Sequence, residues 1–157
     1  MTEKAYPEPD RATLIRLSGL DYMRAMLTGE IAAPPIWNLL NIHLTSVEAG
    51  RVAFRGAAAA EHGNVTGTVH GGWYGAVLDA CMGCAVMTGV PSGATSTTVE
   101  FKTNIVSVAP IGTEVEAVGL VSHAGRRTGV ATGEIRGIAD GKLFATGSTT
   151  CLIMPAD

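Results

Sequence analysis

Asp79 is the one charged residue in the run from Trp73 to Val90, WYGAVLDACMGCAVMTGV. An isolated carboxylate is costly to bury, so a segment built for burial must give it partners or shift its ionisation. A carboxylate held in this way can attack a carbonyl carbon itself or draw a proton from an attacking water. Eight residues earlier, His70-Gly71-Gly72 opens the same segment. Paired glycines let a backbone approach a ligand with no side chain in the way. The first turn of a helix offers unpaired N–H groups at the positive end of its dipole. Such groups polarise a carbonyl oxygen and hold negative charge as it develops, and the Gly71 amide is the candidate donor.

These residues need a helix to carry them. On one helix, Gly71 and Asp79 stand about 12 Å apart along the axis, too far for both to touch one carbonyl. Two antiparallel copies side by side would bring Asp79 of one chain near Gly71 of the other. The small residues Gly75, Ala76, Ala80 and Gly83 permit that close packing. The spacing therefore predicts a two-fold dimer with composite sites.

Other residues near this segment carry two readings each. His70 is a candidate general base, or a residue that orients the backbone at the helix start. Asn64 is a candidate for positioning water or binding the carbonyl, or an ordinary turn residue. Trp73 and Tyr74 either line a pocket or pack. Cys81-Met82-Gly83-Cys84 spells C-x-x-C, but it lies inside an apolar helix with no second pair, so the cysteines are expected as small hydrophobes and no metal is expected.

The rest of the chain supplies a scaffold. Residues 1–17 read as a loose lead-in to a single domain spanning 1–157. A helix is expected from Ser18, which can cap it with Asp21 at the third helical position, and Gly29 followed by Pro34-Pro35 closes it. Ile36 to Arg55 reads as a hairpin whose first part could be helical. After the long apolar helix over 71–90, four strands follow. In the first, Val99, Phe101 and Thr103 are expected on one face and Glu100, Lys102 and Asn104 on the other. Asp140-Gly141 marks a hairpin turn, and His123 to Arg126 marks another. Consecutive hairpins predict an antiparallel sheet, and an almost wholly apolar helix needs cover on all sides. A curled sheet around one central helix satisfies both.

Composition narrows the function classes. With 46% apolar and 16% charged residues, the 157-residue chain is globular. A net charge of −3 leaves no basic footprint for nucleic acid. The Trp73–Val90 run is interrupted by Asp79 and lacks flanking basic anchors, so no membrane span is expected. Three cysteines make no disulfide framework, and with no leader pattern the expected setting is cytoplasmic.

The pattern Asn64-x-x-Gly67-Thr68-x-His70-Gly71-Gly72, followed by Asp79 in the next helix, resembles the PaaI-like group of hotdog-fold acyl-CoA thioesterases. The resemblance runs from the Ser18 helix to the last strand. It implies an α+β hotdog fold, an antiparallel sheet around a long central helix, with active sites at a dimer interface and dimers or tetramers. It implies that Gly71 is the amide donor, Asp79 the carboxylate and Asn64 the upstream polar residue. It also implies a strand hydroxyl, from Thr97 or Thr98. Gly72 and Trp73 at the helix start are candidate substrate-binding residues. Arg126 and Arg127 would meet the phosphates of coenzyme A, or form a solvated hairpin tip. Where many members carry Arg-Pro, this chain has Ser107-Val108-Ala109-Pro110. The implied activity is hydrolysis of an acyl-CoA to free acid and CoA, without metal or bound cofactor. Two alternatives stand beside it. One is a hydratase or dehydratase using His70 and Asp79 on a β-hydroxyacyl thioester; the other is a non-catalytic acyl-CoA-binding module.

Overall fold

The structure, a computed structural model, describes residues 11–155. Most of the segment expected as a lead-in, residues 1–10, lies outside the described residues, but its end is ordered as a short helix, α1 (Arg11–Arg16). The expected helix follows as α2 (Gly19–Thr28). Ser18 Oγ accepts from the Asp21 amide, and Gly29 closes the helix in the left-handed conformation at φ 81°. The helical option for the next stretch is the one taken, by α3 (Pro35–Leu39), which begins on the second proline. A hairpin then forms from β1 (Ile42–Glu48) and β2 (Arg51–Ala57).

The long apolar helix is α4 (Gly71–Met87), with His70 as its N-cap. Four strands follow it: β3 (Ala94–Ile105), β4 (Glu114–Ala124), β5 (Thr128–Gly137) and β6 (Leu143–Pro155). They join the first hairpin in one six-stranded antiparallel sheet of order β1-β2-β4-β5-β6-β3. The expectation of four strands joined by successive hairpins is corrected at one place. β3 does not pair with β4; it lies at the far edge beside β6, and residues 106–113 carry the chain across to β4. Tyr74 of α4 pins that crossing, its hydroxyl accepting from the Ala109 amide at 2.9 Å.

α4 packs against β2 through β6. Trp73, Tyr74, Val77, Leu78, Cys81, Met82, Ala85 and Val86 are all buried beneath or within that contact. The sheet makes room for the helix with a row of three glycines in register, Gly119 opposite Gly133 and Gly133 opposite Gly147. A Cβ on Gly119 would overlap the Cys81 carbonyl of α4, and one on Gly133 would stand 2.8 Å from Met82 Cγ. The close approach of helix to sheet thus depends on side chains that are missing from the sheet. Among the described residues, no helix is long and apolar enough to cross a membrane.

β3 departs from simple alternation. Thr98 pairs with Cys151 and Glu100 with Thr150, so Val99 is an extra residue, a bulge. Before it, Ser96 and Thr98 turn toward α4, and after it Phe101 and Thr103 do, both beside Gly75. Val99 therefore leaves the face shared by Phe101 and Thr103. The strand is also not half-buried in this chain as expected: Val99 is 60%, Phe101 46% and Ile105 45% exposed. Among the described residues, β3 is an edge strand with no further strand beyond it.

Candidate active site

One face of α4 carries a row that repeats every fourth residue, Gly71, Gly75, Asp79 and Gly83; Gly75 is buried under β3 and the other three are only partly covered. A spacing of four keeps residues on one side of a helix. The three glycines let β3 lie close, with Ile105 Cδ1 3.2 Å from a Cβ position on Gly71 and Thr98 Oγ1 3.6 Å from one on Gly83. Asp79 is the only member of the row with a side chain, and it is half-buried. Its Oδ1 accepts a 2.8 Å hydrogen bond from Thr98 Oγ1. Of the two hydroxyls singled out in the sequence, Thr98 is thus the one that reaches the carboxylate. Thr97 is exposed, on the other side of the strand.

The helix start is organised separately. His70 Nδ1 accepts from the Gly72 amide at 2.9 Å, and the His70 carbonyl accepts from the Trp73 amide at 3.0 Å. Both amides are occupied by the cap, so Gly72 is engaged with its own helix. The Gly71 N–H takes no hydrogen bond among the described residues. It is a first-turn donor of the kind that a helix start leaves unpaired. His70 is exposed and behaves here as a capping side chain.

Asn64 holds the preceding loop. Its Oδ1 accepts from the Thr66 amide (2.9 Å), the Thr66 hydroxyl (2.7 Å) and the Thr68 amide (3.2 Å), while Nδ2 donates to Thr68 Oγ1 at 2.9 Å. The turn reading describes this arrangement. Trp73 is buried at 4% exposure, and its indole N–H donates to the Leu40 carbonyl at 2.9 Å, so it packs the core rather than lining an open pocket. Arg126 and Arg127 are exposed at the β4–β5 hairpin tip. That tip lies toward the other end of α4 from Gly71, since the neighbouring Gly129 abuts Val86.

Sequence reasoning missed His62. Its Nδ1 accepts from the Ala59 amide at 2.9 Å, its Nε2 donates to the Leu39 carbonyl at 2.6 Å, and its carbonyl accepts from the His70 amide. It ties the end of α3 to the approach of α4. No local pattern marks such a residue, because its partners lie far apart in the chain.

The three thiols are held as neutral hydrophobes. Burial pushes Cys81 up to about 12 and also raises Cys84 and Cys151. A cavity of about 510 Å³ lies on the sheet face away from α4, between Glu116, Thr132, Glu134 and Arg136, and no site residue lines it. A smaller one, about 300 Å³, reaches Thr98.

Within one chain the structure joins Asp79 to Thr98. It leaves Gly71, Gly72, His70 and Asn64 together at the helix start, with Arg126 and Arg127 apart from both.

The comparisons agree with this architecture. Residues 66–143 match the family model described as the thioesterase superfamily. No curated protein sequence matches the chain. Among solved structures, the phenylacetic acid degradation-related protein of Ralstonia eutropha JMP134 is similar at 28% identity. That match covers 83% of this chain and 98% of that one, with a TM-score of 0.77. A conserved protein of Pseudomonas aeruginosa is 31% identical over 78% of this chain and 95% of its own, with a TM-score of 0.72. The PaaI protein of Escherichia coli, from the phenylacetic acid degradation operon, shares the fold. It is 20% identical, with a TM-score of 0.74 over 88% of this chain and 96% of that one.

Proposed function

We propose, for a chain that belongs to the thioesterase superfamily, that it hydrolyses an acyl-CoA thioester to the free acid and CoA at sites shared between two copies. The observation that carries this reading is the Asp79–Thr98 hydrogen bond at the half-covered face of an otherwise apolar helix. Packing alone would not require a carboxylate there.

The second copy follows from geometry. Gly71 and Asp79 lie eight residues apart on one helix and cannot serve one carbonyl. The exposed edge of β3, with Val99, Phe101 and Ile105 uncovered, offers both unpaired backbone and apolar surface to a twin. Antiparallel pairing of two such edges sets the two α4 helices side by side and brings the Gly71 amide of one copy toward Asp79 of the other.

In that arrangement the Gly71 N–H holds the thioester oxygen as it becomes negative. Asp79 then attacks the carbonyl carbon and displaces the CoA thiolate, leaving a mixed anhydride that water opens to acid and free Asp79. Alternatively Asp79 takes the proton from a water that attacks directly, and the tetrahedral intermediate expels the thiolate. Thr98 holds the carboxylate in place in either route. Asn64 and His70 shape the loop and cap that present the Gly71 amide, and Arg126 and Arg127 offer positive charge to the CoA phosphates.

The test is a panel of acyl-CoAs with both thiol release and product identity followed. Free acid and CoA in equal amounts support hydrolysis. An enoyl thioester formed from a β-hydroxyacyl-CoA would instead establish the dehydratase, and binding without any product would establish the non-catalytic module.

A further inference from the structure

The cavity of about 300 Å³ that reaches Thr98 sits between α2, α3, the second half of α4 and the start of β3. Its walls include Met23, Met26, Trp37, Cys84 and Met87, and among the described residues no charged side chain lines it. Two of the three polar residues on its β3 side are already engaged: Ser96 Oγ rests on Met87 Sδ at 3.6 Å, and Thr98 Oγ1 donates to Asp79, while Thr95 adds one small hydroxyl. One turn beyond Asp79 on the same helix face stands Gly83, which also lines the cavity. A Cβ there would meet only Thr98 Oγ1, at 3.6 Å, within 4 Å. The residue therefore has room for a side chain, and its lack of one keeps the way from Asp79 to the cavity open.

We propose that this cavity is the acyl pocket of the site and takes an uncharged, apolar acyl group of medium length that passes Gly83. The proposal rests on the hydrolase reading for its substrate, and deepens it by naming the acyl class. A carboxylate or ammonium on the acyl tail would enter a space with no counter-charge and lose its hydration. Methionines and a cysteine are soft, adaptable walls that accept apolar groups of varied shape. At about 30 Å³ for a water-sized group, the space holds on the order of ten non-hydrogen atoms. The walls from α2 and α3, which lie outside the 66–143 segment that matches the family model, set the length limit.

The test is calorimetry with S-alkyl-CoA thioethers from ethyl to hexadecyl, which cannot be hydrolysed. Affinity is expected to rise about fourfold per methylene, the worth of one methylene leaving water, and to level off near octyl to decyl. Gly83→Leu should weaken decyl-CoA at least tenfold while leaving ethyl-CoA unchanged, and Gly83→Ala should change neither. Met26→Trp, on the opposite wall, should move the plateau to shorter chains, and serves if Gly83→Leu does not fold. An affinity independent of chain length overturns the pocket, as does a gradient unaltered in a folded Gly83→Leu or Met26→Trp chain. The two readings fail separately. A gradient without thiol release from any acyl-CoA keeps the pocket and removes the hydrolase. Thiol release without a gradient does the reverse.

Discussion

Thr98 reaches Asp79, at 2.8 Å, from the turn of strand that a bulge at Val99 redirects. Were Val99 paired in plain alternation instead of bulged out, the register that sets Phe101 and Thr103 beside Gly75 would turn Thr98 away from α4. The bulge lets one strand cover the glycine row of the helix with its second half and still present a hydroxyl to the carboxylate with its first. Thr98→Val keeps the shape and removes the donor. Thiol release is expected to fall about tenfold to a hundredfold, as for loss of a hydrogen bond to a charged group, with the chain still folded. Thr97→Val, on the other face, should leave the rate alone. Equal rates in both variants would show that the hydroxyl does not position Asp79.

The glycine row of the sheet predicts a stability effect remote from chemistry. Gly119→Ala places a methyl group on the Cys81 carbonyl of α4, a backbone atom that cannot rotate away. A loss of about 3 kcal/mol is expected from overpacking, read as a lower urea midpoint with an unaltered slope. Gly83→Ala, where the space is open and the helix gains a better former, should be neutral or stabilising. An unchanged midpoint for Gly119→Ala would mean that helix and sheet do not touch there.

The buried thiols set an alkaline limit. An unfolded cysteine ionises near 9.0, whereas burial holds Cys81 protonated until about 12 and raises Cys84 and Cys151 as well. Above pH 9.0 the unfolded chain releases protons that the folded chain keeps, so stability is whole below that point and falls as pH climbs toward 12. Urea midpoints should decline across this window, and Cys81→Ala should decline less steeply. Parallel curves for the two chains would show that Cys81 ionises as easily folded as unfolded.

Edge pairing through β3 makes its own prediction. Sedimentation should find the wild type at twice the 16.2 kDa chain mass or a multiple of that. Phe101→Lys puts a charge on the half-exposed side chain beside Gly75 at the open edge of β3 and should yield a folded single chain that no longer turns over. A wild-type single chain with full activity would rule out shared sites.

Much of the fold was legible because its signals are local. Ser18, Asp21 and Gly29 mark both ends of α2, and the apolar run with His70-Gly71-Gly72 in front marks α4. Asp140-Gly141 marks the last hairpin, with Asp140 Oδ1 accepting from the Lys142 amide. What stayed hidden depends on partners distant in sequence. The placing of β3 beside β6 follows from how the sheet meets the helix, and no turn residue announces it. The bulge at Val99 exists only relative to β6, so the choice between Thr97 and Thr98 could not be made from alternation. Trp73 has two readings in the sequence, and a tertiary hydrogen bond to the Leu40 carbonyl engages it; Asn64 is held instead by local bonds from Thr66 and Thr68.

The account stands most directly on the Asp79 carboxylate. The measurement is thiol release from an acyl-CoA that the wild type turns over, made in parallel on Asp79→Asn, with circular dichroism to confirm the fold. Asparagine keeps the shape and can still bond Thr98, but it has neither the charge nor the basicity for attack. A loss of about 10² or more in rate with the fold intact is the predicted result. A folded Asp79→Asn chain that hydrolyses at the wild-type rate would contradict the account.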